Sequence, residues 1–183
     1  VNEIEKKFIQ RANPQKVFDI GPGDGIRLFE YLENQNIDFL GLEKFSRLIE
    51  NSPYQESIII GDVTEININE FADKGIDCIT ILGGTMNGIF GQENQRIAWQ
   101  KVSEILPIEG KVIFDALLIE GFETNNELGE MNLFPGAPPQ FFLSKEELYN
   151  IWNECKLTII ANEDFRIQGP YPLRYYLLEK RKL

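Results

Sequence analysis

The stretch from Val17 to Gly25, VFDIGPGDG, restricts what this chain can fold into more than any other. A short apolar run, broken by one aspartate, leads into glycines at alternate positions, Gly21, Gly23 and Gly25. The run reads as a buried strand. Glycines at its carboxyl end let the backbone turn tightly and approach a ligand that larger side chains would hold off. Ile26, Phe29 and Leu32 then recur at helical spacing and predict a helix over 24–35. Such a helix directs its unpaired N–H groups at the same spot. A dinucleotide fingerprint requires G-x-G-x-x-G, and Ile26 stands where its third glycine belongs. The turn is therefore built for a ligand, but the pyrophosphate spacing is missing.

Further strands read at 37–43, 57–62, 76–82 and from Lys111 onward. A helix reads at 92–106, with Ala98, Val102 and Ile105 on one face and Pro107 just beyond its end. Strands that are apolar throughout, alternating with helices, predict a mostly parallel sheet covered on both faces. Ser144 and Glu147 have capping-box spacing and open a helix carrying Leu148, Ile151, Trp152 and Cys155. Two strand-like runs follow, 157–165 and 173–179, joined by a turn-rich 168–172. Together these predict one α/β domain over 1–183, Rossmann-like and seven-stranded, with an antiparallel C-terminal edge strand.

Asp19 lies inside an otherwise apolar strand, where an unpaired carboxylate is costly, so it is expected to face the loop or a polar ligand. Glu43 ends the second strand and is suited to accept both hydroxyls of a ribose, a feature shared by many adenosine binders. Asp62 follows the third strand. Three carboxylates at the carboxyl ends of three successive strands converge on the crevice where open α/β sheets bind ligands.

The ordered set DIGPGDG at 19–25, Glu43, GDV at 61–63, IDCITILGGTMNG at 76–88 and LPIEGKVIFD at 106–115 resembles the class I S-adenosylmethionine-dependent methyltransferases over about 16–180. The resemblance implies that Asp19, Gly21, Gly23 and Gly25 line the methionine portion of S-adenosylmethionine. It implies that Glu43 holds the ribose, with Lys44 beside the adenine. Asp62 would take the adenine amino group, Val63 would pack nearby, and backbone at Leu82 and Gly83 would meet the methionine amino group. Asn87 lies where many small-molecule methyltransferases carry a histidine.

The chain has no histidine, which removes the commonest general base and metal ligand. Catalytic candidates are therefore Asn87 as an orienting group, with Glu120, Glu123 or Asp115 as a base; for Asn87 a plain turn role before Gly88 stands equally open. Residues 119–143 contain no lysine or arginine, four glutamates and Phe122, Met131, Phe134, Phe141 and Phe142. A connection of that length without regular structure suggests a lid or pocket wall that selects the acceptor, with Phe122, Met131 and Phe134 as substrate contacts. The competing reading is that its aromatics simply pack on the sheet edge.

The net charge of −11 opposes binding to a nucleic-acid backbone, and LGGT replaces the Asn/Asp-Pro-Pro-Tyr motif associated with methylation of bases or glutamine. A small-molecule acceptor is expected, methylated on oxygen or nitrogen, with the chain serving as a domain of a larger biosynthetic protein. No apolar run is long enough to span a membrane, and two cysteines in element interiors fit a cytoplasmic setting. No metal is expected. Two alternatives stay open at this point: a cofactor-binding pseudoenzyme and an NAD-dependent oxidoreductase.

Overall fold

A computed structural model describes residues 1–89, 91–119, 129–131, 139–165 and 172–182. The elements run α1 (Glu3–Ala12), β1 (Lys16–Ile20), α2 (Ile26–Asn34), β2 (Asp38–Glu43), β3 (Ile58–Ile60) and β4 (Cys78–Ile81). They continue with α3 (Gln92–Ile105), β5 (Lys111–Leu117), β6 (Gly129–Met131), β7 (Gln140–Phe142), α4 (Lys145–Glu154), β8 (Leu157–Phe165) and β9 (Leu173–Lys180).

Seven strands form one sheet in the order β3-β2-β1-β4-β5-β9-β8. From β3 to β5 all neighbours are parallel. The expected antiparallel C-terminal strand, β9, enters one place in from the margin, between β5 and β8, and pairs antiparallel with both. Strand order reverses between β1 and β4, so the chain leaves these two neighbours in opposite directions across the sheet. That switch point opens a crevice beyond their carboxyl ends.

Side chains alternate across the strands because the pleat has period two. Phe18, Ile20, Ile79 and Ile81 enter one core layer with Ala98 and Val102 of α3 and Ile151 of α4. Val17, Cys78 and Ile113 enter the other, beneath Phe8 and Ile9 of α1 and Leu28 and Leu32 of α2. Trp99, Trp152, Phe114 and Tyr176 fill the first layer, Phe114 and Tyr176 stacked and the other contacts edge to face, with Trp99 and Trp152 ring centres 5.5 Å apart. Burial pushes the thiol of Cys155 up to about 11 and that of Cys78 higher still, so both are unreactive packing groups.

Two helices carry capping boxes. Ser144 and Glu147 close the N-terminus of α4 as the spacing predicts. Asn2 and Glu5 do the same for α1, whose Ile4, Phe8 and Ile9 pack into the second layer. Helix α2 begins two residues later than the periodicity suggests. Gly25 has φ 71°, a left-handed conformation, so the helix starts at Ile26, which is itself exposed rather than part of the apolar face.

The 119–143 segment departs from the expectation of a connection lacking regular structure. Its described parts include β6 and β7, paired antiparallel with Met131 opposite Gln140. Among the described residues, no helix is long and apolar enough to cross a membrane.

Candidate functional site

A cavity of about 580 Å³ opens at the switch point. Its walls come from the residues just past the carboxyl ends of four parallel strands. These are Ile20 and Gly21 after β1, Glu43 to Phe45 after β2, Gly61 to Glu65 after β3, and Gly84, Thr85, Gly88 and Ile89 after β4. Gln140 of β7 closes one side. The volume lies within the usual range for small-molecule sites.

The glycine turn has the geometry its composition demands. Gly21 sits at φ +74°, and a Cβ built there would lie 2.4 Å from Thr85 Cγ2. Both the backbone conformation and the close neighbour therefore exclude a side chain. Gly23 donates its N–H to Glu43 Oε2 at 3.0 Å. Phe45 donates its N–H to Glu43 Oε1 at 2.9 Å. Glu43 is only 4% exposed, and these two donors fix its carboxylate at the rim between the first two strands. A carboxylate offers about four acceptor positions, so two remain for a ligand.

Asp62 is braced differently. Lys44 Nζ lies 2.6 Å from its Oδ2, and Thr64 donates both backbone N–H and hydroxyl to its Oδ1, at 2.9 and 2.8 Å. Partial burial works to raise its pKa, but the Lys44 ammonium and the Thr64 donors outweigh this and hold the carboxyl below its ordinary value. Asp62 is thus an anionic acceptor held in place over the cavity, with Val63 buried beside it.

Two aspartates lie behind the wall instead of on it. Asp19 is 5% exposed and accepts a hydrogen bond from Thr80 Oγ1 at 2.7 Å. The pleat explains the outcome: Ile20 takes the cavity side, so Asp19 must share the opposite face with Val17. The expectation that it faces the loop is corrected by this placement. Asp115 accepts the N–H groups of Gly83 and Gly84 at 2.8 and 3.2 Å, bracing the turn after β4. Desolvation raises Asp19 to about 7 and Asp115 to about 6, against the hydrogen bonds that oppose it.

These raised values set a pH dependence. Well below the ordinary aspartate value of 3.8, at about pH 2–3, both carboxyls are protonated in the folded and unfolded chains alike. Between there and pH 7 the unfolded chain ionises first while the folded chain keeps its protons, so stability falls as pH rises. Asp19→Asn keeps an acceptor for Thr80 without the buried charge. We expect this variant to melt several degrees above wild type at pH 8, the difference shrinking as pH falls and vanishing at about pH 2–3, by differential scanning calorimetry. An unchanged melting difference across that range would remove Asp19 as the source.

Of the residues the sequence singled out, Gly21, Glu43, Lys44, Asp62 and Val63 meet at the cavity. The Leu82 carbonyl accepts the Thr85 hydroxyl at 2.7 Å beside it. Gly23 and Gly25 shape the turn without lining the cavity, Gly25 being packed over Phe29. Asn87 belongs to the turn Thr85–Gly88 and lines a small separate cavity with Met86, Gln95 and Phe142. Glu120, Glu123, Phe122 and Phe134 lie outside the described residues. Met131 is opposite Gln140 on the hairpin. Sequence reasoning passed over Thr85, Ile89, Asn94 and Gln140, all on the wall. Thr85 closes the LGGT stretch without having been given a role, and the other three belong to no short motif, so only the fold gathers them.

The fold as a whole has counterparts among solved structures. A Methanosarcina mazei S-adenosylmethionine-dependent methyltransferase superposes with a TM-score of 0.75 at 14% identity, covering 100% of this chain and 99% of that one. The chain has the methyltransferase fold. A glycopeptide N-methyltransferase complexed with S-adenosylmethionine matches at TM-score 0.70 and 15% identity, over 95% of this chain and 91% of its own. An amino pentose methyltransferase from Micromonospora echinaspora matches at 0.67 and 13%, over 95% and 88%. No protein-family model matches the sequence, and no curated protein does. The methyltransferase fold is thus shared at sequence identities too low to carry residue roles across, and those rest on the cavity itself.

Proposed function

We propose that this chain is an S-adenosylmethionine-dependent methyltransferase acting on oxygen or nitrogen of a small-molecule acceptor. One observation carries the reading: Glu43, pinned by Gly23 and Phe45 at the end of β2, keeps two acceptor positions at the cavity rim. Vicinal hydroxyls of a ribose match that pair. Asp62 supplies an acceptor for the adenine amino group, and Val63 and Ile89 supply apolar walls for the base. The Leu82 carbonyl, which retains a lone pair beyond its Thr85 hydrogen bond, suits an ammonium group.

The cofactor, when bound, supplies a sulfonium methyl group already primed for transfer. The protein's task is then mainly positioning, which can account for a large part of the rate without an acid or base. That division of labour suits a chain without histidine. Asp115, engaged by two backbone N–H groups and buried, serves as a brace for the β4 turn instead of a base. Asn87 belongs to the same turn and orients it from the small separate cavity that it lines with Met86. The structural counterparts acting on a glycopeptide and an amino pentose favour a small acceptor over nucleic acid, as does the net charge of −11. The buried, unpaired cysteines suit a reducing cytoplasm.

Calorimetric titration with S-adenosylhomocysteine and with NAD tests the reading. The first should bind in the micromolar range and the second not at all. NAD binding, or binding of neither, rejects it. Labelled methyl transfer to a panel of amines, phenols and carboxylic acids then separates an enzyme from a cofactor-binding pseudoenzyme.

A further inference from the structure

Behind the turn after β4, three buried carboxyls face a single cation. Asp19 of β1 and Asp115 of β5 lie on the sheet face that α1 and α2 cover, and Glu5 of α1 is buried against the same face. Arg27 of α2 lies 3.2 Å from Glu5 and is committed to it. Glu5 also accepts the Asn2 N–H and the hydroxyl of Tyr175, at 2.8 and 3.2 Å. Tyr175 stands directly opposite Asp115 in the pairing of β5 with β9, and burial holds its phenol neutral. Asp19, two strands away, is occupied by the Thr80 hydroxyl. These are the charged and titratable neighbours of Asp115 among the described residues, and they leave it without a cation of its own.

Its partners are two backbone donors. Gly83 donates to Oδ2 at 2.8 Å and Gly84 to Oδ1 at 3.2 Å. Each oxygen thus accepts one N–H, the pattern of an ionised carboxylate. A protonated acid turns one oxygen into a donor, and a glycine N–H cannot receive that hydrogen. The loss would fall on a turn that depends on outside ties. Gly83 and Gly84 have φ 70° and 73°, and glycine has more backbone freedom to lose than any other residue. Gly84 and Thr85 line the cavity, with the Leu82 carbonyl beside them. Desolvation raises Asp115 to about 6 against its two hydrogen bonds, so its two forms exchange close to neutral pH.

We propose that Asp115 is a positioning residue that acts through its charge: the ionised carboxylate sets the Leu82–Thr85 turn for the cofactor, and cofactor binding there drives the proton of Asp115 into solvent. This rests on the methyltransferase reading above and adds a regulation to that site. Linkage is reciprocal. A ligand that prefers the ionised form binds more tightly as pH rises, and it expels a proton wherever the free chain still carries one. An ammonium group at the Leu82 carbonyl acts in the same direction, since it attracts the negative charge behind the turn.

The test is calorimetric titration of S-adenosylhomocysteine into the full chain between about pH 5.5 and 8, where ordinary carboxylates keep their charge. Each titration is run in two buffers of different ionisation enthalpy, so that the difference in heat counts the protons released. Wild type should release about half a proton near pH 6 and almost none at pH 8, its affinity rising about threefold across the range. Asp115→Asn should release none and show a flat pH profile, with weaker affinity than wild type at pH 8. Asp19→Asn should keep the release, because Asp19 holds Thr80 and not the turn. A residue that only filled space would leave the proton count unmoved. Absence of release by wild type near pH 6, full release by Asp115→Asn, or loss of release in Asp19→Asn overturns the proposal. Should Asp115→Asn fail to fold by its melting curve, wild type and Asp19→Asn still decide. Failure of S-adenosylhomocysteine to bind wild type at any pH overturns the underlying reading instead.

Discussion

We expect Glu43→Ala to lower the affinity for S-adenosylhomocysteine by about a hundredfold or more. The substitution removes the carboxylate held by both the glycine turn and the residue after Lys44. On the proposed reading two ribose hydroxyls would lose charge-assisted partners, each worth about 1.5–3 kcal/mol, and Gly23 and Phe45 lose the acceptor that orders their N–H groups. Glu43→Gln should fall between, since it keeps one acceptor oxygen and replaces the other with a donor. Isothermal titration at constant pH gives the affinity, and a melting curve of each variant confirms that the fold persists. Wild-type affinity in a folded Glu43→Ala protein would show that the ribose is not held here.

The second large effect is expected from Gly21→Ala. At φ +74° an alanine is strained by about 1–2 kcal/mol. Its Cβ would also lie 2.4 Å from Thr85 Cγ2 and 2.6 Å from Thr85 Oγ1, well inside contact distance. Displacing Thr85 disturbs its hydrogen bond to the Leu82 carbonyl, which adds about 1–3 kcal/mol by analogy with overpacked cores. The melting temperature should fall by about 5–15 °C, and ligand affinity should fall with it. Because the three nearest atoms all belong to the Thr85 side chain, adding Thr85→Gly should recover the steric part and leave the backbone strain. No loss in Gly21→Ala, or no recovery in the double variant, would show that the turn differs from the one described.

Much of the cavity wall was legible because it depends on local chemistry at strand ends. The alternating glycines announce a tight turn whatever surrounds them, and Glu43 and Asp62 are polar endings to apolar runs. Asp19 shows where that logic stops. Its sequence position looks like that of a ligand contact, yet pleat parity sends it to the face opposite Ile20, where Thr80 receives it. The spacing Asn2-x-x-Glu5 is a helix-start signal as clear as Ser144-x-x-Glu147. Its larger consequence is tertiary: buried Glu5 meets Arg27 of α2 at 3.2 Å and accepts the Tyr175 hydroxyl of β9 at the same distance.

The sequence by itself determined the alternation of strand and helix, the turn after β1 and the acidic strand ends, because each follows from backbone sterics or hydrophobic period within a few residues. Tertiary structure alone decided the strand order that places β4 beside β1, the entry of β9 between β5 and β8, and the meeting of Thr85 with Gly21. It also decided that Gln95 joins β7 to the β4 turn and leaves Gln140 at the cavity wall. These contacts join residues far apart in the chain through side chains with no local signature, so they exist only once the sheet has assembled.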